Sequence, residues 1–212
     1  MEREKKDIII VGEDYPGKGG FGTYSYNLYK QMNHKKYKIA LLYFSQTETL
    51  ENIPPDEKEV YSIFIPDFYP SIDLIIREDP EARNIENNIR ENLKNHCLEE
   101  AHLIISISPR TLVLTNKFIK SKYHIYRLGH VHYKRLWNIS NIWELNLDNF
   151  EDLVKQDYYT DSIMKNNPNI SILPNSPLAE IFIQILKTKL GLQNKIYSNL
   201  IGLSYNPNET RT

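Results

Sequence analysis

The stretch that most constrains the fold lies near the start of the chain, between Asp7 and Met32. It opens with Ile8 to Val11, a continuous β-branched run of the kind that forms a strand buried on both faces. A glycine-rich loop follows. From that loop onward apolar residues recur at helical spacing, at Phe21, Tyr24, Leu28 and Met32. The order strand, glycine loop, helix is half of a βαβ unit and predicts a parallel sheet.

The glycine loop itself predicts an anion site. It brings backbone N–H groups to the N-terminus of a helix, where the helix dipole favours negative charge. We therefore expect Gly19, Gly20 and Gly22 to meet a phosphate or a carboxylate of a ligand. The stabilisation from a helix terminus is modest, about 0.3–1 kcal/mol.

The residues alone leave several interpretations of this loop open. Gly12, Gly17 and Lys18 match the P-loop, but Gly19 stands where that motif needs a Ser or Thr for magnesium. Gly17, Gly19 and Gly22 match the dinucleotide motif GxGxxG, but the next predicted strand does not end in the acidic residue that would hold a ribose. Glycines that serve only a tight turn and close packing are a further alternative.

A last pattern covers the loop and the helix together. A proline-containing loop ends in GGxGxY and continues into a helix with an Asn-Leu pair, at Pro16, Gly19, Gly20, Gly22, Tyr24, Asn27 and Leu28. This pattern resembles the first loop of the family 4 glycosyltransferases. That family contains retaining enzymes of the GT-B fold that use nucleotide sugars.

Composition limits the classes of function. The 212 residues include 26 basic and 27 acidic side chains, for a net charge of -1, so no global field attracts nucleic acid. Cys97 is the only cysteine, which excludes an internal disulfide and fits a reducing compartment. Met1 to Lys6 lacks the apolar core of a signal peptide, and no apolar run reaches the length of a membrane span. We expect a cytoplasmic protein, with peripheral membrane association left open.

Strands and helices alternate along the rest of the chain. This alternation predicts an α/β fold with a doubly wound, Rossmann-like parallel sheet. Residues 67–80 fit either a strand or a short helix. Predicted strands cover residues 37–45, 60–65, 101–108, 123–128 and 170–173, and predicted helices cover residues 85–97, 111–120, 148–164 and 177–190.

The family resemblance extends to this order of elements. In family 4 the acceptor-side half has a strand followed by a His-bearing loop and a late strand that ends in a Pro-Asn turn, as at Ile125–His130 and Ile172–Asn175. The resemblance implies an acceptor-side domain over residues 1–192. It further implies a linker and the first strand of a donor-binding domain over residues 193–212. Transfer of a sugar to a hydroxyl acceptor is then expected to need a donor-binding half.

The resemblance also implies roles for individual residues. His130 occupies the place of a family residue that faces the cleft and is commonly His, so it is the expected catalytic residue. Glu13, Asn27, His132 and Arg110 are expected to contact the acceptor or the sugar. The alternative for both histidines is that they are partly exposed loop residues. The alternative for Glu13 is that it is a solvent-facing loop residue. Four basic residues are candidates to meet an acceptor phosphate or an acidic sugar, with a solvated surface position as the alternative for each: Arg110, Arg127, Lys134 and Arg135.

The expected partners follow from the same resemblance. They are a nucleotide sugar as donor substrate, a hydroxyl acceptor (glycan, lipid or small molecule) and a donor-binding domain on a separate chain. We expect no cofactor, no nucleic acid and no metal, because no Cys or carboxylate cluster accompanies the two histidines. A non-catalytic Rossmann-like binding or interaction module is the main alternative. A nucleotide-dependent oxidoreductase or kinase is a third interpretation.

Overall fold

The computed structural model describes residues 5–13, 20–46, 57–128 and 159–197. Six parallel strands form one sheet in the order β3-β2-β1-β4-β5-β6. The predicted α/β fold with a doubly wound, Rossmann-like parallel sheet is therefore confirmed. The strands are β1 (Lys6–Glu13), β2 (Ile39–Ser45), β3 (Val60–Phe64), β4 (Glu100–Ser106), β5 (Lys120–Leu128) and β6 (Ile170–Pro174).

Helices lie on both faces of this sheet. The first helix packs on one face with a core that includes Ile10 and Tyr29. The second, third and fourth helices contribute to the core on the opposite face, which includes Ile9 and Val11. The helices are α1 (Gly20–Gln31), α2 (Phe68–Ile76), α3 (Arg83–Asn95), α4 (Pro109–Phe118), α5 (residues 159–166 within the described part) and α6 (Pro177–Leu190), with a 3-10 turn at Pro80–Ala82.

Strand β1 is central, as its β-branched run predicts. It pairs with β2 on one side and β4 on the other, so that Ile10 aligns with both Leu41 and Ile105. Ile9, Ile10 and Val11 are fully buried. Because consecutive side chains of a strand point to opposite faces, these residues join the cores on both sides of the sheet.

The structure resolves or shifts several predicted elements. The ambiguous segment 67–80 contains α2, and β4 ends at Ser106, short of the predicted limit. Ser108 is instead the N-cap of α4: its side chain accepts a hydrogen bond from the Thr111 amide, and Pro109 occupies the first turn. Strand β5 begins at Lys120, earlier than predicted, because pairing with β4 extends to that residue.

The last helix keeps its predicted ends. Ser176 caps α6 by accepting a hydrogen bond from the backbone N–H of Ala179, and Gly191 ends the helix with a φ of 67°. The side chain of Asn194 donates to the carbonyl oxygens of Asn167 and Ile170 over 3.0 and 2.9 Å. The chain therefore continues to pack along β6 beyond the predicted domain limit at residue 192.

None of the helices in the described ranges combines the length and the apolar character needed to cross a membrane.

Candidate functional site

The strand order identifies where a ligand is expected. The chain passes from β1 to β2 and β3 on one side, and β4 then lies on the other side of β1. In open α/β sheets, ligands bind in the crevice outside the carboxyl ends of the strands at such a switch point. Here the switch-point crevice is expected beyond Glu13 of β1 and Ser106 of β4, next to the N-termini of α1 and α4.

Glu13 and Arg110, two of the predicted contact residues, meet at this point. Glu13 is only 4% exposed. Its Oε1 accepts a hydrogen bond of 2.7 Å from Nη1 of Arg110, and its Oε2 accepts one of 2.7 Å from the hydroxyl of Ser108. Both carboxylate oxygens are thus bound within the protein, which compensates the loss of hydration of this buried charge.

Arg110 is held from a second side as well. The Cζ of its guanidinium lies 4.4 Å from the centroid of the Tyr69 ring in α2. The salt bridge with Glu13 leaves its side chain 20% exposed. The ion pair and the Tyr69 contact therefore connect β1, α2 and α4. The Ser108 hydroxyl lies beside the pair, at the N-terminus of α4.

The N-terminus of α1 packs tightly on β1. Gly20 begins the helix and Gly22 is buried within it. The carbonyl of Gly22 accepts hydrogen bonds from the Ser25 hydroxyl over 2.9 Å and from the Tyr43 hydroxyl over 3.2 Å. A Cβ at Gly12 would lie 2.5 Å from Ser25 Oγ and 2.8 Å from Tyr43 Cε1. Gly12 therefore permits this close approach of α1 to the sheet.

A second arginine borders the same end of the sheet. Arg127 lies just before the end of β5 and is half-buried. The Cζ of its guanidinium lies 3.2 Å from the centroid of the Tyr24 ring in α1. Burial lowers the pKa of Arg127, while the Tyr24 contact acts in the opposite direction.

Asn27 is the one further predicted contact residue that the described ranges include. Asn27 lies in α1 and is exposed. Gly19, His130 and His132 lie outside the described residues, so their roles stay predictions. Within the ranges described, no group of three or more His, Cys, Asp or Glu side chains has a geometry that could hold a metal ion.

One Ser-His contact lies within the core. Nε2 of His124 is 2.7 Å from the hydroxyl oxygen of Ser106. Ser106 is fully buried and His124 is 8% exposed, and burial lowers the pKa of His124 to about 4. A substrate cannot reach a hydroxyl with no exposed surface, so this pair has a structural role.

Sequence reasoning missed the role of Ser108 and undervalued Arg127. The segment Ser108-Pro109-x-Thr111 is a helix-start signal that places a hydroxyl at the switch point. For Arg127, the signal was a cation near the carboxyl end of a predicted strand, the edge of a parallel sheet at which ligands bind.

No protein-family model matches this chain, and no curated protein matches it either. The likeness to family 4 glycosyltransferases accordingly rests on the motifs of this chain and on its fold class.

Proposed function

We propose that this chain is the acceptor-side domain of a retaining glycosyltransferase that uses a nucleotide sugar. The observation that carries the proposal is where the loop that ends in GGxGxY leaves β1, at Glu13, and enters α1, at Gly20. It joins β1 to α1 at the switch point of a parallel sheet whose order is 3-2-1-4-5-6. A nucleotide diphosphate is a natural ligand for that position.

The proposed chemistry is transfer of the sugar from its diphosphate to a hydroxyl acceptor with retention of configuration. The diphosphate leaves with increased negative charge, which N–H groups at the start of α1 would stabilise. His130 follows the end of β5 by two sequence positions. Its proposed role is contact with the reacting sugar or the acceptor.

This domain supplies only part of the stabilisation that transfer needs. A helix terminus contributes about 1 kcal/mol, whereas each tenfold in rate requires ~1.36 kcal/mol. Further positive charge is assigned to a donor-binding domain. We therefore expect the chain alone to bind nucleotides weakly and to show no robust turnover.

Calorimetry with the purified chain and UDP-, GDP- and ADP-sugars tests the proposal. We expect at least one nucleotide sugar to bind, with free sugars as the control. Transfer is then assayed by nucleotide release and product mass after a donor-binding partner is added. Absence of nucleotide binding across the panel would refute the proposal.

Two histidine variants test the assignment of the catalytic residue. In the reconstituted system, His130→Ala should lower the transfer rate by ~10²–10⁴, the range for a positioned acid-base group. His132→Ala is the matched control and should have a smaller effect. Equal effects, or loss of bound zinc in either variant, would contradict the assignment of His130.

One observation favours a second candidate, a binding module without catalysis. Glu13 and Arg110 neutralise each other in the crevice, so neither offers a free charge to a reaction. Such a module would bind a nucleotide but would not support transfer with any donor-binding partner. The same reconstitution distinguishes it from the proposed transferase domain.

A further inference from the structure

Arg127 differs from Arg110 in having no counter-ion among the described residues. Arg110 donates to Glu13. Arg127 makes no hydrogen bond or ion pair within the part of the chain that the structure describes, and its one recorded interaction is the contact with Tyr24. Its half-buried guanidinium therefore has N–H donors for which the described residues supply no acceptor.

The contact with Tyr24 orients Arg127 without using its donors. At 3.2 Å from Cζ to the ring centroid, the guanidinium lies on the face of the ring. Its N–H groups lie in the guanidinium plane and point outward from its edge. The ring therefore restricts the rotamers of Arg127 and leaves the N–H fork available, which reduces the entropy lost when a ligand binds.

Tyr24 and Arg127 lie at the same end of the sheet as the switch-point crevice. Tyr24 lies in the first turns of α1, whose N-terminus is the predicted anion site. Arg127 lies near the carboxyl end of β5, which pairs directly with β4. Three neighbouring strands thus bring side chains to the same edge of the sheet. Glu13 is at the end of β1, Ser108 lies just beyond β4, and Arg127 lies near the end of β5.

We propose that Arg127, oriented by Tyr24, binds a phosphate group of the ligand in this crevice. A guanidinium fork matches two phosphate oxygens with parallel hydrogen bonds. The start of α1 adds a second favourable field for the same negative charge. The proposal rests on the proposed function only for the identity of the ligand, a nucleotide sugar or a phosphorylated acceptor.

The test is calorimetry on the full chain with pyrophosphate, UDP and uridine as probes. We expect pyrophosphate and UDP to bind and uridine to bind far more weakly. Arg127→Met should weaken both phosphate probes by about tenfold or more, because it removes a charge-assisted pair. Arg127→Lys should retain part of the affinity, since it keeps the charge and loses the paired N–H donors of the guanidinium.

The matched control is Arg77→Met, a change at an exposed arginine that caps α2. This variant should leave both affinities unchanged.

Thermal melting separates binding from a structural role. Because Arg127 has no ion pair to lose among the described residues, Arg127→Met should melt at the same temperature as the parent chain or higher. Unchanged phosphate affinity in Arg127→Met would overturn the proposal. A clearly lowered melting temperature in that variant would also overturn it, since it would assign a structural role to the side chain.

The two proposals can fail independently. Arg127-dependent binding of pyrophosphate, without binding of any nucleotide sugar, would support the phosphate site and remove the transferase assignment. Nucleotide-sugar binding that is equal in the parent chain and Arg127→Met would support the transferase assignment and remove the phosphate role of Arg127. Binding of UDP but not pyrophosphate would show that the nucleoside carries the affinity, which also overturns the role of Arg127.

Discussion

The Nε2 atom of His124 lies 2.7 Å from the hydroxyl oxygen of Ser106, inside the core between the sheet and α4. Ser106 in turn lies 2.8 Å from the hydroxyl oxygen of Thr115, which donates to the carbonyl of Thr111 over 2.7 Å. Thr115 uses its one hydroxyl hydrogen on Thr111, so all three hydrogen bonds form only if Ser106 donates to Thr115 and Nε2–H donates to Ser106. We therefore assign the Nε2-protonated, neutral tautomer to His124.

Protonation of His124 should make the stability of the fold depend on pH. Burial lowers its pKa to about 4 from a usual value of 6.5. As the pH falls from 6.5 to 4, the unfolded chain binds a proton that the folded chain does not, so the free energy of unfolding should decrease by about 3 kcal/mol. Urea unfolding at a series of pH values measures this loss.

His124→Gln provides the control for this pH dependence. The variant has no imidazole to titrate, so its free energy of unfolding should change less between pH 6.5 and pH 4. An identical dependence on pH in both proteins would show that other groups dominate acid unfolding.

Breaking the pair between Glu13 and Arg110 should destabilise the fold. Glu13→Gln leaves Arg110 without its counter-ion, and Arg110→Met leaves the buried Glu13 carboxylate without its cation. Each should lower the free energy of unfolding by about 3 kcal/mol. The double variant should lose less than the sum, which urea unfolding of all four proteins measures. The matched control is Glu100→Gln, which breaks the exposed pair with Lys5 and should change little. Additive losses in the double variant would contradict direct coupling.

The two serine caps should differ in strength. Ser176→Ala removes one cap hydrogen bond from α6 and should lower the free energy of unfolding by about 1 kcal/mol. Ser108→Ala removes a cap from α4 and also the donor to Oε2 of Glu13. This variant should therefore lower the free energy of unfolding by roughly 1–3 kcal/mol more than Ser176→Ala does. Chemical denaturation compares them, and equal losses would show that the bond to Glu13 adds nothing.

Gly12→Ala should destabilise the fold through a clash. The new Cβ would lie 2.5 Å from Ser25 Oγ and 2.8 Å from the Tyr43 ring, both buried. Overpacking of this kind costs about 1–3 kcal/mol. Urea unfolding measures the loss, and Gly12→Ala combined with Ser25→Ala should recover part of it. A Gly12→Ala variant as stable as the parent would mean that α1 moves away freely.

The fold was predictable because its signals are local. The β-branched run at Ile8 to Val11 predicted a central strand, and the Ser176-Pro177 cap with Gly191 predicted both ends of α6. The segment 67–80 was ambiguous because Ile72, Leu74, Ile75 and Ile76 fit either period. Its helical form depends on burial of Phe68, Ile72 and Ile75 in the core, a tertiary effect that spacing alone does not reveal.

The candidate site was predictable only in part. Glu13 and Arg110 were each expected to face a ligand, but their ion pair joins residues 97 positions apart, and one sequence does not show such a pairing. The contact between Tyr24 and Arg127 is equally non-local. The periodicity of α1 assigned Tyr24 to packing, and the structure adds the guanidinium that this ring supports.

The buried pair of Glu13 and Arg110 also constrains how this sequence can diverge. A substitution that removes one charge leaves the other buried and unpaired, so a change at either position is tolerated best when the second changes with it. Positions 13 and 110 should therefore vary together in related chains, with Ser108 linked to them through its bond to the same carboxylate. In related chains that can be aligned, joint variation at these positions would therefore show that the ion pair constrains the fold.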